Sequence, residues 1–577
     1  MPRQLICRAL GAGLLLANGA VLAATCNVPS SHASLLAAVN DTGCDPIVIA
    51  AGEFPAAISI NRSLSLVGAG ASATRLSGAA GIPTLTLGSA AVITITGLEL
   101  ATTSASNLAL RVDGASVTLA DIKVGIGAAS AAPVTTVSSG SDGESLAASF
   151  SRDGRYVVFQ SRATNLAGSS ANGSFDIYRI DRNCAVGAVG CTRVQRVSLD
   201  DAGAPVSGDA IQPALSADGN LVVFVAADTA TAKVRGESLK QAQTRRKTNL
   251  LAVFLRNMQT GRTDRVGTAG GSGNVGQPQI APGGGTVVFT GDKPGGVAGS
   301  TAIFSIPLID SGSGPQPVTG SLRCVSCKAV ASDGSDTTID TDGSSAAATV
   351  SADGQWVAFE TTARNAMAGQ TPTCPDAARE VMLRNMLTGV LRNVSAPVDP
   401  AQCGAAGSSA SAPRMDYAGS RLVFESNQPL TPRTTPPQTD AYLVELHRGG
   451  FTRLSQGTAG VDANAASRQP TISGDGQSVA YVSAATNLDA GDVDNNLQDD
   501  LFVRSLRDDS QRRVNKTTNG DQANAGSNRP ALDYGGSLLV FDSQASNLAS
   551  GATGGISNVF EVGNPLNLSA VFTSGFE

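Results

Sequence analysis

A short phrase recurs seven times along this 577-residue chain, and no other feature restricts its fold as much. The copies are SFSRDGRYVVF (149–159), ALSADGNLVVF (214–224), QIAPGGGTVVF (279–289), TVSADGQWVAF (349–359), RMDYAGSRLVF (414–424), TISGDGQSVAY (471–481) and ALDYGGSLLVF (531–541). They stand about 64 residues apart on average. Similarity at a fixed period marks an architecture in which one supersecondary unit is copied and packed against itself. In each copy an apolar residue ends one strand (Phe150, Leu215, Ile280, Val350, Met415, Ile472 or Leu532). A turn follows, and a run such as Val157-Val158-Phe159 makes a buried strand.

One glycine is present in every copy: Gly154, Gly219, Gly284, Gly354, Gly419, Gly476 and Gly536. Tight hairpins between right-twisted strands require positive φ, which Asp-Gly and Gly-Gly tolerate. The aspartate before it is replaced by Gly283, Ala418 and Gly535 in three copies. A turn former can vary in this way and a catalytic carboxylate cannot, so the aspartates read as structural.

Each period holds further strands. A third strand is written as SFDIYRI (174–180), LAVFLRN (251–257), AIFSIPL (302–308), EVMLRN (380–385), DAYLVEL (440–446), DDLFVRSL (499–506) and NVFEV (558–562). A fourth follows in most copies, as in TRVQRVSL (192–199) and FTRLS (451–455). Four strands repeated seven times predict an all-β fold, a seven-bladed β-propeller over 133–565, whose radial closure removes long exposed sheet edges. The last unit stops after its third strand, at Val562, while PVTTV (133–137) precedes the first copy and reads as a fourth strand. The expectation is that it completes the seventh blade, so that both ends of the repeat region clasp one sheet.

ALSADGNLVVF and TISGDGQSVAY resemble the WD40-like (PD40) repeats of TolB-type propellers, whose units carry Ser-Pro-Asp-Gly before an apolar strand. The likeness covers roughly 134–562, but the proline before Asp-Gly is absent and the blades are long for that family. SRATNLAG (161–168) recurs as SAATNLDAG (483–491) and SQASNLASG (543–551), which resembles secreted bacterial relatives of unknown role. The resemblance implies a periplasmic binding platform. Propellers elsewhere host enzymes, so fold alone does not choose between these roles.

The region before the repeats is different. SSHASLLAAVN (30–40) predicts a short helix capped by Ser30 or Ser31. After it come PIVIAAGEF, AISI, SLSLVGAG, TLTLGS, AVITITGLEL, LALRVDG and SVTLADIKV. Short alternating strands with glycine-rich corners suit four or five coils of a short right-handed parallel β-helix over 25–132, with a small β-sandwich as the alternative. The opening resembles the start of secreted bacterial β-helix proteins, in which a helix caps the first coil.

The first 24 residues have the form of a signal peptide. Arg3 and Arg8 precede the apolar run ALGAGLLLANGAVLAA, and the small Ala23 and Ala24 suit cleavage. A lipoprotein reading would modify Cys26, but Thr25 stands where a glycine, alanine or serine is expected. No later run reaches the ~18 apolar residues of a membrane span. The expected destination is outside the cytoplasm, whether periplasmic, cell-surface or secreted, with envelope association open. The formal charge is −6, or −8 without Arg3 and Arg8. That gives no electrostatic reason to bind nucleic acid.

Cys7 lies in the leader. The other eight cysteines form four sequence-local couples, Cys26 with Cys44, Cys184 with Cys191, Cys324 with Cys327 and Cys374 with Cys403. Disulfides between neighbours suit an oxidising compartment. A redox or zinc reading of CVSC (324–327) lacks a βαβ context and a second ligand pair, and the chain has only His32 and His447.

Other candidates are sparse. In DAGDVDNNLQDD (489–500), Asp492, Asp494, Asn496 and Asp499 have the spacing of a calcium loop. Leu497 and Leu501 stand where an EF-hand needs glycine and glutamate, so an acidic surface turn is the alternative. Glu99, Asp113 and Asp121 form no evident close set for polysaccharide chemistry. KVRGESLKQAQTRRKTNL (233–250) is a basic insertion, read as a solvated loop. The tail AVFTSGFE (570–577) resembles a Phe-x-x-Gly-Phe-Glu ending of exported Gram-negative proteins, which implies a sorting or anchoring tag. With no catalytic constellation and no cofactor beyond a candidate Ca²⁺, the expectation is a non-enzymatic exported scaffold whose propeller loops bind a protein or glycan. The alternatives are an enzyme acting on extracellular or cell-wall polysaccharide and a calcium-stabilised adhesin.

Overall fold

Seven antiparallel sheets follow one another along the chain, each built in the order in which its strands occur. The computed structural model describes residues 24–566 apart from 71–72, 79–82, 89–90, 103–109, 113–114, 127–133, 167–172, 185–190, 229–250, 268–274, 294–298, 311, 328–341, 366–376, 398–402, 404–406, 458–459 and 490. The signal peptide, the basic insertion and the SGFE tail thus lie outside the described residues, as does Cys374. Two compact units divide the chain, one of residues up to Ala128 together with 571–577, the other Ala129–Ala570.

The larger unit is a seven-bladed β-propeller. Its blades begin at the strands Ser145–Phe150, Ile211–Leu215, Gly276–Ile280, Ser345–Val350, Ala410–Met415, Ser467–Ile472 and Ser527–Leu532, here called blades 1 to 7. In blade 1 the further strands are Tyr156–Ser161, Asp176–Asp181 and Val194–Arg196. Blade 3 departs from the pattern. Its long third strand Thr301–Asp310 is met by Pro315–Pro317 at one end and by Arg323–Cys324 at the other.

Each blade is held by its second and third strands, where large side chains face each other across the ladder. The pairs are Phe159–Tyr178, Phe224–Phe254, Phe289–Phe304, Phe424–Tyr442, Tyr481–Phe502 and Phe541–Phe560, with ring centroids 5.6–6.0 Å apart. In blade 4 Met382 takes the place of the second ring, opposite Phe359. Burying such a side chain contributes about 1.5–3 kcal/mol.

Thr135–Thr136 pairs antiparallel with Asn558–Gly563 and completes the seventh blade, as the phase of the repeat requires. Val134 is buried in that blade's core. Arg182 of blade 1 donates through Nε to Glu561 Oε2 of blade 7 at 2.7 Å and pairs its Nη2 with Glu561 Oε1. The ring is closed at this seam without a covalent bond.

The seven turn glycines have φ between +66° and +75°. In blade 1 the Asp153 carboxylate accepts from Ser151 Oγ and Arg155 N, while Ser151 Oγ accepts from Tyr156 N. Blades 2, 4 and 6 repeat this with Asp218, Asp353 and Asp475. In blades 5 and 7, which lack that aspartate, the carboxylate has moved two places earlier. Asp416 accepts from Ser420 N and Oγ, and Asp533 from Leu538 N and Ser537 Oγ. The sequence substitution is therefore an exchange of positions within one hydrogen-bonded turn.

The smaller unit is a parallel β-solenoid. Cys44–Ile49, Leu64–Gly68, Val92–Thr102 and Ser116–Ile126 stack in parallel. Their register aligns Ile47, Leu66 and Ile95 in one column, each fully buried. Ile58–Ile60, Leu85–Leu87 and Leu110–Val112 form a second face of three rungs. The solenoid has about three turns, fewer than the four or five expected. Val92–Thr102 is one long strand serving two faces, pairing with Leu64–Gly68 and then with Thr74–Ser77. It turns its corner at Gly97, where a Cβ would stand 2.7 Å from the Gly68 carbonyl oxygen.

The helix is shorter than its sequence pattern, Leu35–Asn40, and is capped by Ser34, whose Oγ accepts from Ala37 N at 3.2 Å. Ser31, expected as a cap, instead bridges the amide and carbonyl of Asn27 in the turn before the helix. Arg62 satisfies the C-terminal end by donating to the carbonyls of Val39, Asp41 and Cys44. Among the described residues no helix is long and apolar enough to cross a membrane.

Candidate functional site in the propeller channel

The first strand of every blade carries an irregularity that the repeat phrase conceals. In blade 1 the register passes from Leu146↔Gln160 to Ser149↔Val158, so that two residues oppose one. The other six blades bulge at the equivalent place. The bulged residues are Ala147, Gln212, Gln277, Ala347, Ala412, Gln469 and Arg529, all with φ between +49° and +56°. None is glycine, and non-glycine residues in the left-handed region cost about 1–2 kcal/mol each. Proline follows five of them (Pro213, Pro278, Pro413, Pro470 and Pro530), where the bulge spares a ladder N–H.

The strained N–H groups do not go unpaired. Each donates to a side-chain oxygen of the preceding blade: Gln212 N to Gln160, Gln277 N to Gln212, Ala347 N to Gln277, and Ala412 N to Glu360. Gln469 N donates to Glu425, Arg529 N to Gln469 and Ala147 N to Asp542, which closes the circle. The seven distances run from 2.6 to 3.5 Å. Every blade supplies one acceptor from either of two positions. Where the second strand offers Gln160, Glu360, Glu425 or Asp542, the bulge residue is alanine or arginine. Where the second strand has Val225, Thr290 or Val482, the bulge residue is glutamine and supplies the acceptor itself.

This ring of residues lines a central channel with a cavity of about 450 Å³. Its wall is made of alanine, proline, serine, threonine and glutamine together with Arg414 and Arg529, and holds no aromatic side chain. Arg529 Nη1 lies 2.9 Å from Asp542 Oδ2. Burial pushes the Asp542 carboxyl up to about 6, against the opposing effect of Arg529. Such a carboxyl exchanges its proton near neutral pH, as a general acid must. Arg414 is open to channel solvent, yet the surrounding walls still desolvate it and lower its pKa from the ordinary value. Sequence reasoning missed this site. The signal was present as a polar residue before proline on the inner strand, in Gln212-Pro213, Gln277-Pro278, Gln469-Pro470 and Arg529-Pro530.

The candidates expected from sequence lie elsewhere. Asp492 and Asp494 are brought together around Arg513, with Asp500 at 2.9 Å from Arg513 Nη1 and Lys516 Nζ at 2.9 Å from Asp492 Oδ2. Asp499 is turned away to Arg468, and Asn496 donates to the Ala523 carbonyl. Burial raises the pKa of Asp500, opposed by Arg513. Disulfides join Cys26 to Cys44, Cys184 to Cys191 and Cys324 to Cys327, and Cys403 is also disulfide-bonded. Glu99 pairs with Arg75 at 3.2 Å. Asp113 and the side chain of Asp121 lie outside the described residues. His32 Nε2 is 3.2 Å from Asp41, and His447 is exposed in a turn.

No family model and no curated protein matches the chain. Among solved structures, TolB from Acinetobacter baumannii aligns at 13% identity over 64% of this chain and 63% of its own length, with a TM-score of 0.29. What the two share is the β-propeller fold. An oligogalacturonate lyase in complex with manganese aligns at 14% identity over 75% of this chain and 97% of that one, with a TM-score of 0.41. A puromycin-hydrolysing peptidase of Mycobacterium tuberculosis aligns at 16% identity over 76% of this chain, with a TM-score of 0.40; the chain spans 55% of its length. At these identities the likeness is one of fold. The expectation of a non-enzymatic binding scaffold is withdrawn: enzymes and TolB proteins both stand among these neighbours, and a likeness of fold does not select between them. The solvent-open cavity is at the centre of the ring. The disulfides fit an oxidising compartment.

Proposed function

We propose that this protein is an exported enzyme acting on extracellular or cell-wall polysaccharide, with the propeller channel as its site. The carrying observation is the channel wall itself, a cavity of about 450 Å³ in which amides, hydroxyls and guanidinium groups stand among alanines and prolines, with Asp542 behind Arg529. A wall without aromatic or large aliphatic side chains does not suit an apolar ligand, whereas a polyhydroxylated one exchanges water hydrogen bonds for such groups at little cost. Asp542 does not itself line the cavity; it acts on the wall through Arg529, and its pKa of about 6 lets it take up and release a proton at working pH. The disulfides and the leader-like N-terminus favour a periplasmic, cell-surface or secreted place of work.

The test is turnover of a panel of neutral and acidic polysaccharides by the full chain, read as new reducing ends or unsaturated products between pH 4 and 8. Turnover that falls at least a hundredfold in Asp542→Asn, with a melting temperature no lower than that of the wild type, supports the reading. Absence of turnover across the panel, or full activity in Asp542→Asn, overturns it.

A further inference from the structure

We infer that the channel is a receptor for an oxyanion, so that the ligand it takes carries carboxylate or sulfate groups. The inference deepens the reading of the channel as a glycan site and rests on it for the word glycan; anion binding itself does not depend on catalysis. Its basis is the hydrogen-bonded circle of the bulges, because that circle uses up acceptors and leaves donors.

Gln212, Gln277 and Gln469 all line the cavity. In each, the amide oxygen is taken by the main-chain N–H of the next blade, at 2.6, 2.7 and 2.8 Å respectively. A main-chain N–H can only donate, so these contacts also settle which end of each amide is oxygen. The Nε2 groups of all three make no hydrogen bond among the described residues. Three amide NH₂ groups therefore remain as donors for whatever occupies the channel.

The carboxylates of the circle are spent in the same way. Glu360 accepts from Ala412 N and from Arg379 Nη1 at 2.9 Å, and Glu425 accepts from Gln469 N and Ser411 Oγ. Asp542 is engaged by Ala147 N and Arg529. Against these spent acceptors stands Arg414. Its Nη1 donates to the carbonyl of Pro413, next to it in the chain, and it makes no ion pair among the described residues. Arg414 feels the charges of Glu360 and Glu425 without forming an ion pair to either, and its fork geometry, set in a partly desolvated channel beside free amide donors, matches the planar lone pairs of an oxyanion. Arg529 adds a second guanidinium that can exchange Asp542 for the ligand.

The experiment is isothermal titration of the full chain, at low ionic strength, with glucuronate, sodium sulfate and glucose as separate probes. The expected result is that glucuronate and sulfate bind and glucose does not, and that Arg414→Gln weakens both anions at least tenfold. Gln277→Glu keeps an oxygen for Ala347 N–H, as Glu360 and Glu425 do in their own blades, but removes the NH₂ donor; it is expected to weaken anions at least fivefold at an unchanged melting temperature. Equal binding of glucose and glucuronate, or unchanged anion affinity in Arg414→Gln, overturns the inference. Anion binding without turnover of any polysaccharide retires the enzyme and leaves the receptor standing. Turnover of a neutral polysaccharide without anion binding does the reverse.

Discussion

Two hydrogen-bonded circles run around the propeller, and they differ in what they are made of. The circle at the bulges joins side chains to main chain and passes through all seven blade boundaries. The circle at the glycine turns is main chain to main chain. It runs from Arg152 N to Ala217 O, Ala217 N to Pro282 O, Gly283 N to Ala352 O, Ala352 N to Tyr417 O, Tyr417 N to Gly474 O and Asp475 N to Tyr534 O. At the boundary of blades 7 and 1 the Arg152 guanidinium lies 4.1 Å over the Tyr534 ring. The longest link of the first circle, 3.5 Å from Ala147 N to Asp542, falls at the same boundary. The bulge circle is thus longest at the seam, where the clasp of Thr135–Thr136 on Asn558–Gly563 and the Arg182–Glu561 pair add to closure. A side-chain circle tolerates changes of residue provided an oxygen stays within reach; a main-chain circle tolerates any side chain provided the backbone can bend.

The sharpest way to break the turn circle is at its glycines. A Cβ on Gly219 would stand 2.4 Å from Tyr156 Cδ2, in a residue with φ +71°. Gly219→Ala is expected to cost about 3 kcal/mol, combining backbone strain and overpacking. Gly284 has a similar φ, but its Cβ would meet only Leu221 Cδ1 at 3.4 Å. Gly284→Ala should therefore cost about 1 kcal/mol. Urea unfolding of the two variants checks the difference, and equal losses would mean that backbone strain alone governs the turns.

The bulge circle is broken next by Gln277→Ala, which removes the acceptor of Ala347 N–H and of Thr290 Oγ1. The expected loss is about 1–3 kcal/mol. Adding Thr290→Glu moves the acceptor to the second strand, the arrangement that blade 4 uses with Ala347 and Glu360, and should recover most of that loss. Denaturation of the single and double variants decides whether the two positions are interchangeable.

A third test concerns the seam. Asp542 has a folded-state pKa of about 6, above its ordinary 3.8. Between those values the native state holds a proton that the unfolded chain has lost, so this group's contribution to stability falls as pH rises through the window. Asp542→Asn should gain on the wild type from pH 4 to 7, by on the order of 1–2 kcal/mol. A stability difference independent of pH would show that the carboxylate is paired well enough to stay charged. The smallest effect is expected where blade 7 meets blade 1 at the turns, where Arg152→Ala removes a cation–π contact worth about 0.5–1 kcal/mol. A loss above 2 kcal/mol in thermal unfolding would show that this contact is a full link of the circle.

Much of the ring was legible because a repeat states its own architecture. Blade number, the positive-φ glycines and the strand borrowed from PVTTV all follow from copies seen side by side. The solenoid was read less well. AVITITGLEL alternates like a single strand, and nothing local says that Gly97 bends it onto a second face. The channel was hidden for a different reason. Gln212, Gln277 and Gln469 look like ordinary polar residues before proline, and their partners lie 60 to 70 residues away in the next blade. The aspartates of the turns were rightly read as structural, yet their exchange with Asp416 and Asp533 appears only when hydrogen bonds are traced.

The sequence by itself determined that seven like units would be built and that each would need a strand, a glycine turn and a buried strand, because those are local demands of sterics and burial. Only the tertiary structure decided what stands at the centre. Radial packing sets the bulge of each blade against the oxygen of its neighbour, so the same amides that close the circle are left with their donors facing the channel.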